Sequence, residues 1–286
     1  MSKIEVQNIS KTFGTVAALK NVSVEFEGSH IYGLLGRNGA GKSTLLNLIT
    51  GKMLPTYGDI LIDGEPVWEN DRALSKIYCM TELTLYPERM KVREAFRWTS
   101  AFYENFNLEY ALALCEEFEL NTNYKIKNLS TGYSSIFKNI VALSCGTEIV
   151  LFDEPVLGLD ANHRELFYKE MLKNFSDHPQ TIILSTHLIE EVSGIIDRVV
   201  IIKDGELLMN SDVESVIRMG YSVSGSAVEV DGYIKGKKIL GFDTLGNYKS
   251  AYLLGNPEQV PQSLEIGKLE LQKLFIQLTN TQEGLS

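Results

Sequence analysis

The sequence predicts an α/β fold whose core is a mostly parallel β-sheet with helices on both faces. Mainly apolar runs over residues 30–35, 148–154 and 181–187 are typical of strands buried on both faces. Apolar residues at helical spacing follow the first run over 45–49 and precede the second run over 136–143. Buried strands that alternate with helices indicate parallel pairing.

Three smaller parts are predicted around this core. An antiparallel β subdomain precedes it, a helical insertion occupies about residues 83–146, and a small α+β extension follows at the C-terminal end. The composition and pattern of the sequence change after residue 211, where short strands rich in glycine, tyrosine and valine begin. We therefore expect a core domain over 1–210 and an accessory domain over 211–286.

Composition limits the classes of function. Among 286 residues, 27 are basic and 37 acidic, so the net charge of −10 disfavours nucleic acid as a partner. The three cysteines, Cys79, Cys115 and Cys145, are too widely spaced for a disulfide framework or a metal site, and we expect them to be buried. No stretch approaches the roughly 18 apolar residues that a membrane span needs. We expect a cytosolic chain unless a partner holds it at a membrane.

The strongest motif lies over residues 36–44, between a strand and a helix. Its glycines allow backbone N–H groups to point at phosphate oxygens, and the following helix adds its positive N-terminal end. Lys42 would reach the β and γ phosphates, and the Ser43 hydroxyl would be a ligand for Mg²⁺. A chance match has a frequency of roughly one in a hundred for a chain of this length. The motif predicts a P-loop NTPase core, and its residues are Gly36, Arg37, Asn38, Gly39, Ala40, Gly41, Lys42, Ser43 and Thr44.

The other elements are predicted in order along the chain. Strands over 3–9 and 22–32 form the antiparallel entry sheet, with Phe13 between them. Phe13 lies beside a glycine turn and could stack on a planar base, although by composition a core position is the commoner outcome. Strands follow over 60–64 and 77–80, and helical spacing governs 91–121.

The second half of the core carries the polar residues of interest. Ser130 or Thr131 can cap a helix whose N-terminus offers a second anion site. Asp153 and Glu154 end a buried strand, where open α/β sheets bind ligands, although such a strand can also simply emerge into solvent. His187 ends another buried strand, and a lone histidine there is more often structural.

The end of the chain has its own pattern. A hairpin with an Asp-Gly turn is predicted over 199–208, and short strands over 221–255. An amphipathic helix is predicted over 263–279. Residues 212–286 carry no nucleotide motif, so we expect them to serve dimer contact or regulation, or else to stabilise the core as a lid.

In this order and spacing, the pieces over residues 3–210 resemble the ATP-binding subunit of ABC transporters. The segment Leu129-Ser130-Thr131-Gly132-Tyr133 is similar to the signature LSGGQ of that family. By the same resemblance, Phe13 matches the aromatic residue that stacks on adenine, Asp153 the aspartate that helps to hold Mg²⁺, and Glu154 the catalytic carboxylate. Gly158, Leu159 and Asp160 match the D-loop, and His187 matches the histidine that contacts the γ-phosphate.

Two departures from the family pattern stand out. Thr131 and Tyr133 replace a glycine and the glutamine of the signature, whereas Ser130 and Gly132 are kept. The family usually has a glutamine in the loop that follows Met80, where it touches Mg²⁺. Thr81 and Glu82 occupy that region here, and Glu82 is the candidate oxygen ligand.

The resemblance implies a specific mechanism. Two such domains would face each other head to tail with ATP and Mg²⁺ between the phosphate loop of one and the signature of the other. Lys42, Glu154 and His187 would carry the chemistry, and Ser130, Gly132 and Asp160 would contribute to the nucleotide site.

The resemblance also implies partners. A separate transmembrane permease would be powered by a homodimer or heterodimer of ATPase subunits on the cytoplasmic face of the membrane. The tail is similar to that of subunits linked to export of, or resistance to, peptide antibiotics. The alternatives are a soluble ABC-type ATPase with a regulatory or remodelling role and a catalytically quiet ATP binder.

Overall fold

The structure is a computed structural model that describes residues 2–280, and the predicted fold class is confirmed. Its strands are β1 (Ile4–Phe13), β2 (Val16–Phe26), β3 (Ile31–Leu35), β4 (Tyr57–Ile62), β5 (Glu65–Pro66), β6 (Ile77–Met80), β7 (Ile149–Asp153), β8 (Thr181–Thr186), β9 (Arg198–Lys203), β10 (Glu206–Asp212), β11 (Gly220–Ser226), β12 (Ile239–Leu245), β13 (Tyr248–Leu254) and β14 (Glu265–Lys268). Its helices are α1 (Lys42–Ile49), α2 (Asp71–Leu74), α3 (Val92–Phe102), α4 (Leu108–Glu117), α5 (Thr131–Ser144), α6 (Ala161–Asp177), α7 (Ile189–Val192), α8 (Val213–Arg218), α9 (Ala227–Tyr233) and α10 (Leu271–Asn280).

The central sheet positions the site. Its strand order is β10-β9-β3-β8-β7-β6, and all neighbours pair in parallel except the edge strand β10. Strands β3 and β8 are buried along their whole length, as their apolar sequences predict. Because the carboxyl ends of parallel strands lie at one edge, the phosphate loop after β3, Asp153 at the end of β7 and His187 after β8 meet there.

The entry sheet differs from its predicted boundaries. Its order is β2-β1-β4-β5, and β1 continues to Phe13, where the prediction ended it at residue 9. The predicted strand over 22–32 is wrong as one element, because β2 ends at Phe26 and β3 begins at Ile31. Between them Ser29 has a positive φ of 61°, and the chain passes from the antiparallel sheet into the parallel one.

The helical insertion forms as predicted. Helices α3 and α4 bury one apolar face each, whereas α5 is buried on all sides over residues 135–144, and its Ile136, Ile140 and Leu143 lie inside the large apolar core. Ser130 caps α5, since its Oγ accepts a hydrogen bond from the Tyr133 N–H at 3.3 Å.

The three cysteines are free and buried, as expected. Burial raises the pKa of the Cys79 thiol to about 11 and that of Cys115 to about 12, so both stay protonated at neutral pH. Across the described part of the chain, no helix combines the length and the apolar character needed to cross a membrane.

The C-terminal extension contains a third sheet, with order β12-β13-β11-β14. Helix α9 covers it, and Val230 of that helix packs with Val223, Ala251 and Leu253. The helix predicted over 263–279 is only partly right, because β14 occupies its first turns and α10 begins at Leu271. The competing interaction is tertiary: β14 pairs antiparallel with β11 and covers an edge that would otherwise be unpaired.

Part of this extension shares the core of the preceding domain. Residues of α8, the β14–α10 segment and β13 lie in the same apolar cluster as the faces of α3 to α7; they are Val213, Val216, Tyr252, Leu269, Leu271, Leu274 and Phe275. Lys203 of β9 also donates a hydrogen bond to the Leu278 carbonyl at 3.3 Å. Helix α10 is therefore packed as an integral part of the large core.

We expect Leu274→Ala to lower the free energy of unfolding of the whole chain by about 2–5 kcal/mol. Leu274 is 2% exposed, so the truncation removes buried methyl groups and leaves a cavity. Leu245→Ala is the matched control, because Leu245 is 84% exposed and its loss should change stability by less than about 0.5 kcal/mol. Urea unfolding followed by circular dichroism measures both. Equal effects of the two substitutions would contradict the assignment of α10 to the core.

Candidate nucleotide site

The phosphate loop lies between β3 and α1, and its geometry requires glycine at specific positions. Gly39 and Gly41 have positive φ angles of 82° and 111°. A Cβ on Gly41 would lie 2.7 Å from the Ala18 carbonyl oxygen, and one on Gly36 would lie 2.7 Å from the Ile202 carbonyl oxygen. Helix α1 starts directly after this turn and has no side-chain cap. Its first N–H groups can therefore donate to a ligand without competition from a capping side chain.

Lys42 is held inside the loop. Its side chain is 7% exposed, and Nζ donates hydrogen bonds to the carbonyls of Gly36 at 2.7 Å and Arg37 at 3.3 Å. Burial lowers the pKa of the ammonium, and the charges of Glu154 and Asp153 oppose this effect only in part. The ammonium is therefore poised to exchange neutral carbonyl acceptors for charged ones, which bind it more strongly.

The two carboxylates at the end of β7, Asp153 and Glu154, lie in different environments. Asp153 Oδ1 is buried and accepts no hydrogen bond from any residue in 2–280. A buried acceptor without a partner is costly unless a ligand or ion supplies one. Glu154 follows with a positive φ of 52°, and its N–H donates to the Ser185 carbonyl at 2.9 Å.

The Glu154 side chain is joined to the end of the neighbouring strand. Its Oε2 lies 2.9 Å from His187 Nδ1 and accepts a hydrogen bond from the Thr186 hydroxyl at 3.4 Å. Because a carboxylate oxygen accepts, this contact is a hydrogen bond in the tautomer that carries a proton on Nδ1. Asp153 pairs with Ser185 in the parallel register of β7 and β8, so the strand pairing brings Glu154 and His187 together.

The structure places Phe13 at the solvent end of β1. Its ring is 48% exposed, and Lys11 Nζ lies 5.2 Å from the ring centre. The core position that composition favours is therefore wrong, and the ring is open to a planar ligand. Glu82 lies on the loop after β6 and is exposed, and its role as a metal ligand stays a prediction.

The signature and the D-loop pack against each other. A Cβ on Gly132 would lie 2.9 Å from the Gly158 carbonyl oxygen, so glycine is needed for this close approach. Asp160 caps α6 by accepting from the His163 N–H at 2.9 Å, and hydrogen bonds from His163 lower the pKa of Asp160. Within residues 2–280, no hydrogen bond or ion pair joins Ser130 or Gly132 to the phosphate loop.

The sequence analysis did not identify Thr186 or a group of three polar residues on α5. Thr186 holds Glu154 as described and also accepts the Leu188 N–H at 3.1 Å. The position of Thr186 next to His187, at the end of a buried strand, could have indicated a role in the site. The second group is Ser135, Lys138 and Asn139, which lie buried on α5. A lysine between Phe137 and Asn139 in an apolar helix was the signal there.

Fold and site together define a phosphate-loop NTPase: a glycine-rich loop between a parallel strand and a helix, with carboxylates at the same edge of the sheet. Comparison with known proteins makes the class more specific. The sequence profile of the ABC transporter family matches residues 19–157. An uncharacterised ABC transporter ATP-binding protein of Methanocaldococcus jannaschii, MJ1023, is 32% identical over 224 residues, which are 76% of this chain and 80% of that protein. The chain belongs to the family of ABC transporter ATP-binding proteins, and it is an ATPase of that family.

Other relatives carry different printed functions. The Nod factor export ATP-binding protein I of Rhizobium etli is 31% identical over 211 residues, 72% of this chain and 66% of that protein. The ribose import ATP-binding protein RbsA 3 of Rhizobium meliloti is 29% identical over 227 residues, 75% of this chain and 45% of that protein. The chain thus spans less than half the length of this import relative.

Solved structures agree with the fold. The dimeric structure of MJ0796, a bacterial ABC transporter cassette, superposes with a TM-score of 0.65 at 26% identity and covers 73% of this chain and 98% of that one. A dimeric post-hydrolysis state of MJ0796 bound to ADP and Pi gives a TM-score of 0.65 at 25% identity, with the same coverage.

Proposed function

We propose that this chain binds and hydrolyses ATP between two ATPase domains and so powers a separate membrane-spanning permease. The observation that carries the proposal is the Glu154–His187 pair at the carboxyl edge of the sheet, at the same edge as the phosphate loop. A carboxylate near the γ-phosphate of a bound nucleotide can polarise water, and the histidine fixes its orientation.

Binding of ATP is assigned to residues 36–44, with Lys42 on the β and γ phosphates and Phe13 stacked on adenine. Ser43 and Asp153 would hold Mg²⁺, and the unpartnered Oδ1 of Asp153 fits a hard cation. Mg²⁺, when bound, neutralises phosphate charge. Glu82 remains an additional proposed ligand.

Hydrolysis is assigned to Glu154 as the general base. Within residues 2–280, both hydrogen bonds of the Glu154 side chain are made by Oε2, so Oε1 is the oxygen left to accept a proton from water. His187 and Thr186 hold the carboxylate, and Lys42 stabilises the charge that develops on the transferred phosphoryl group.

The second half of each site would come from another ATPase domain. Ser130 and Gly132 are separate from the phosphate loop within the described chain, and MJ0796 forms a dimer, which supports a head-to-tail pair. The partner domain is either a second copy or a companion ATPase, and Asp160 would lie near this interface. We propose residues 1–210 as the ATPase domain and 211–286 as an accessory domain. The packing of α10 on the large core favours a stabilising contribution from the latter.

The proposed cargo is a peptide, antibiotic or lipid that is exported, with the chain held at the cytoplasmic face of the membrane by its permease. The similarity to a Nod factor export protein supports export, whereas the similarity to a ribose import protein supports the opposite direction. The net charge of −10 disfavours a nucleic-acid partner.

Affinity purification of the tagged full chain from detergent-solubilised membranes tests this proposal. We expect an integral membrane protein to co-purify and to change the rate of MgATP hydrolysis. The tagged Leu245→Ala variant, which changes an exposed side chain, is the control and should co-purify with the same protein as the wild type. Turnover without any membrane partner would favour a soluble regulatory or remodelling ATPase, and nucleotide binding without turnover would indicate a quiet ATP binder.

A further inference from the structure

Helix α5 has a buried polar face whose purpose the nucleotide site does not explain. Ser135, Lys138 and Asn139 lie on one side of the helix, since residues three and four positions apart are neighbours. Each of the three side chains donates to the backbone of a loop outside the helix.

Lys138 binds the loop that follows β6. Its side chain is 8% exposed, and Nζ donates to the carbonyls of Thr81 at 2.9 Å and Glu82 at 2.7 Å. Burial lowers the pKa of this ammonium, and the Glu82 charge partly opposes that effect. Burying a cation costs free energy that only good hydrogen bonds offset, so a lysine here needs a specific reason.

The other two residues bind the segment after the proposed catalytic base. Asn139 Nδ2 donates to the Pro155 carbonyl at 2.8 Å, and the Ser135 hydroxyl donates to the Leu157 carbonyl at 2.9 Å. Pro155 directly follows Glu154 in the chain. A shift of α5 is therefore coupled to the backbone that carries Glu154.

The loop that Lys138 holds also reaches the surface. Leu83 is 75% exposed and Leu85 is 67% exposed, which is unusual for two large apolar side chains so close together in a loop. Behind them the Tyr86 ring packs edge-on against Phe137, the residue before Lys138, with ring centres 5.3 Å apart. The loop is thus anchored to α5 on both sides of its exposed residues.

We propose that Lys138 is a positioning residue that ties the loop over 81–85 to α5, so that displacement of this loop moves the signature end of α5 and the Glu154 segment together. The inference rests on the proposed function, because it gives Lys138 an effect on hydrolysis. It deepens that function by naming the residue that connects the loop surface to the catalytic carboxylate.

The test compares Lys138→Met, which removes the charge and both hydrogen bonds, with Lys138→Arg, which keeps a cationic donor. Lys169→Met is the matched control, because Lys169 is exposed on α6. Amide hydrogen exchange of the nucleotide-free full chain reports on the loop directly. We expect exchange over 81–85 to become at least about fivefold faster in Lys138→Met and to stay near the wild-type rate in Lys138→Arg and Lys169→Met.

Steady-state kinetics then separate positioning from binding. We expect Lys138→Met to lower kcat about tenfold with KM for MgATP within about twofold of wild type, and Lys138→Arg to restore most of kcat. If Lys138→Met does not fold, Lys138→Leu, which also removes the charge and both hydrogen bonds, provides the same comparison. An active wild type together with unchanged exchange or unchanged kcat in the neutral variant would overturn this role alone. A wild-type chain without MgATP turnover would overturn the proposed function and this role together.

Discussion

Lys42→Ala is expected to abolish useful ATP binding. The carbonyls of Gly36 and Arg37 hold the Lys42 ammonium at the N-terminus of α1, and charge-assisted hydrogen bonds to phosphate are the strong ones. Losing two such contacts at about 1.5–3 kcal/mol each corresponds to at least about a hundredfold weaker binding. Titration with a fluorescent ATP analogue measures the change.

Lys169→Ala is the control for this substitution, since it removes an equal charge from the exposed face of α6. Circular dichroism should show that the Lys42 variant is folded, because its lost partners are two loop carbonyls that water can satisfy. Wild-type nucleotide affinity in Lys42→Ala would contradict the assignment of residues 36–44 as the phosphate site.

Glu154→Gln is expected to slow hydrolysis by on the order of 10² to 10⁴ while ATP binding remains. The amide keeps the size of the side chain and can still accept from His187 and Thr186, but it cannot act as a base. Lys42, Ser43 and Asp153 are untouched, and one negative charge near the γ-phosphate is removed. The closed, ATP-filled pair should therefore accumulate.

Size-exclusion chromatography of this variant with ATP and Mg²⁺, or with ATP and Na⁺, should show a shift toward twice the monomer mass that depends on nucleotide. Glu165→Gln on the exposed face of α6 is the matched control and should hydrolyse ATP like the wild type. The experiment should be repeated with any companion ATPase that co-purifies. Hydrolysis at the wild-type rate by Glu154→Gln would remove Glu154 as the base.

The parts of the fold that the sequence predicted well depend on local chemistry. The positive φ angles of Gly39 and Gly41, the Ser130 cap and the Asp204-Gly205 turn each satisfy a requirement within a few residues. Strand β3 and the apolar runs 149–152 of β7 and 182–184 of β8 indicated burial on both faces of the sheet.

The parts that it missed depend on contacts between distant residues. Strand β14 replaces a predicted helix because Ile266 pairs with Val223, which lies far from it in the sequence. In the sequence, Lys138 only interrupts an apolar helix. In the folded chain, the carbonyls of Thr81 and Glu82 accept hydrogen bonds from its ammonium. Composition predicts a core position for Phe13 because it does not show that β1 ends in solvent.

Complementation between two inactive variants tests the head-to-tail site most directly. Lys42→Ala keeps the signature, and Ser130→Glu keeps the phosphate loop but places a negative charge toward the γ-phosphate of the facing domain. In a mixed pair, one composite site has both intact halves. Random pairing makes half of the dimers mixed, so an equimolar mixture should recover roughly a quarter of the wild-type rate of MgATP hydrolysis, while each variant alone stays inactive. No recovery at any mixing ratio, with wild type active under the same conditions, would contradict a site shared between two copies of this chain.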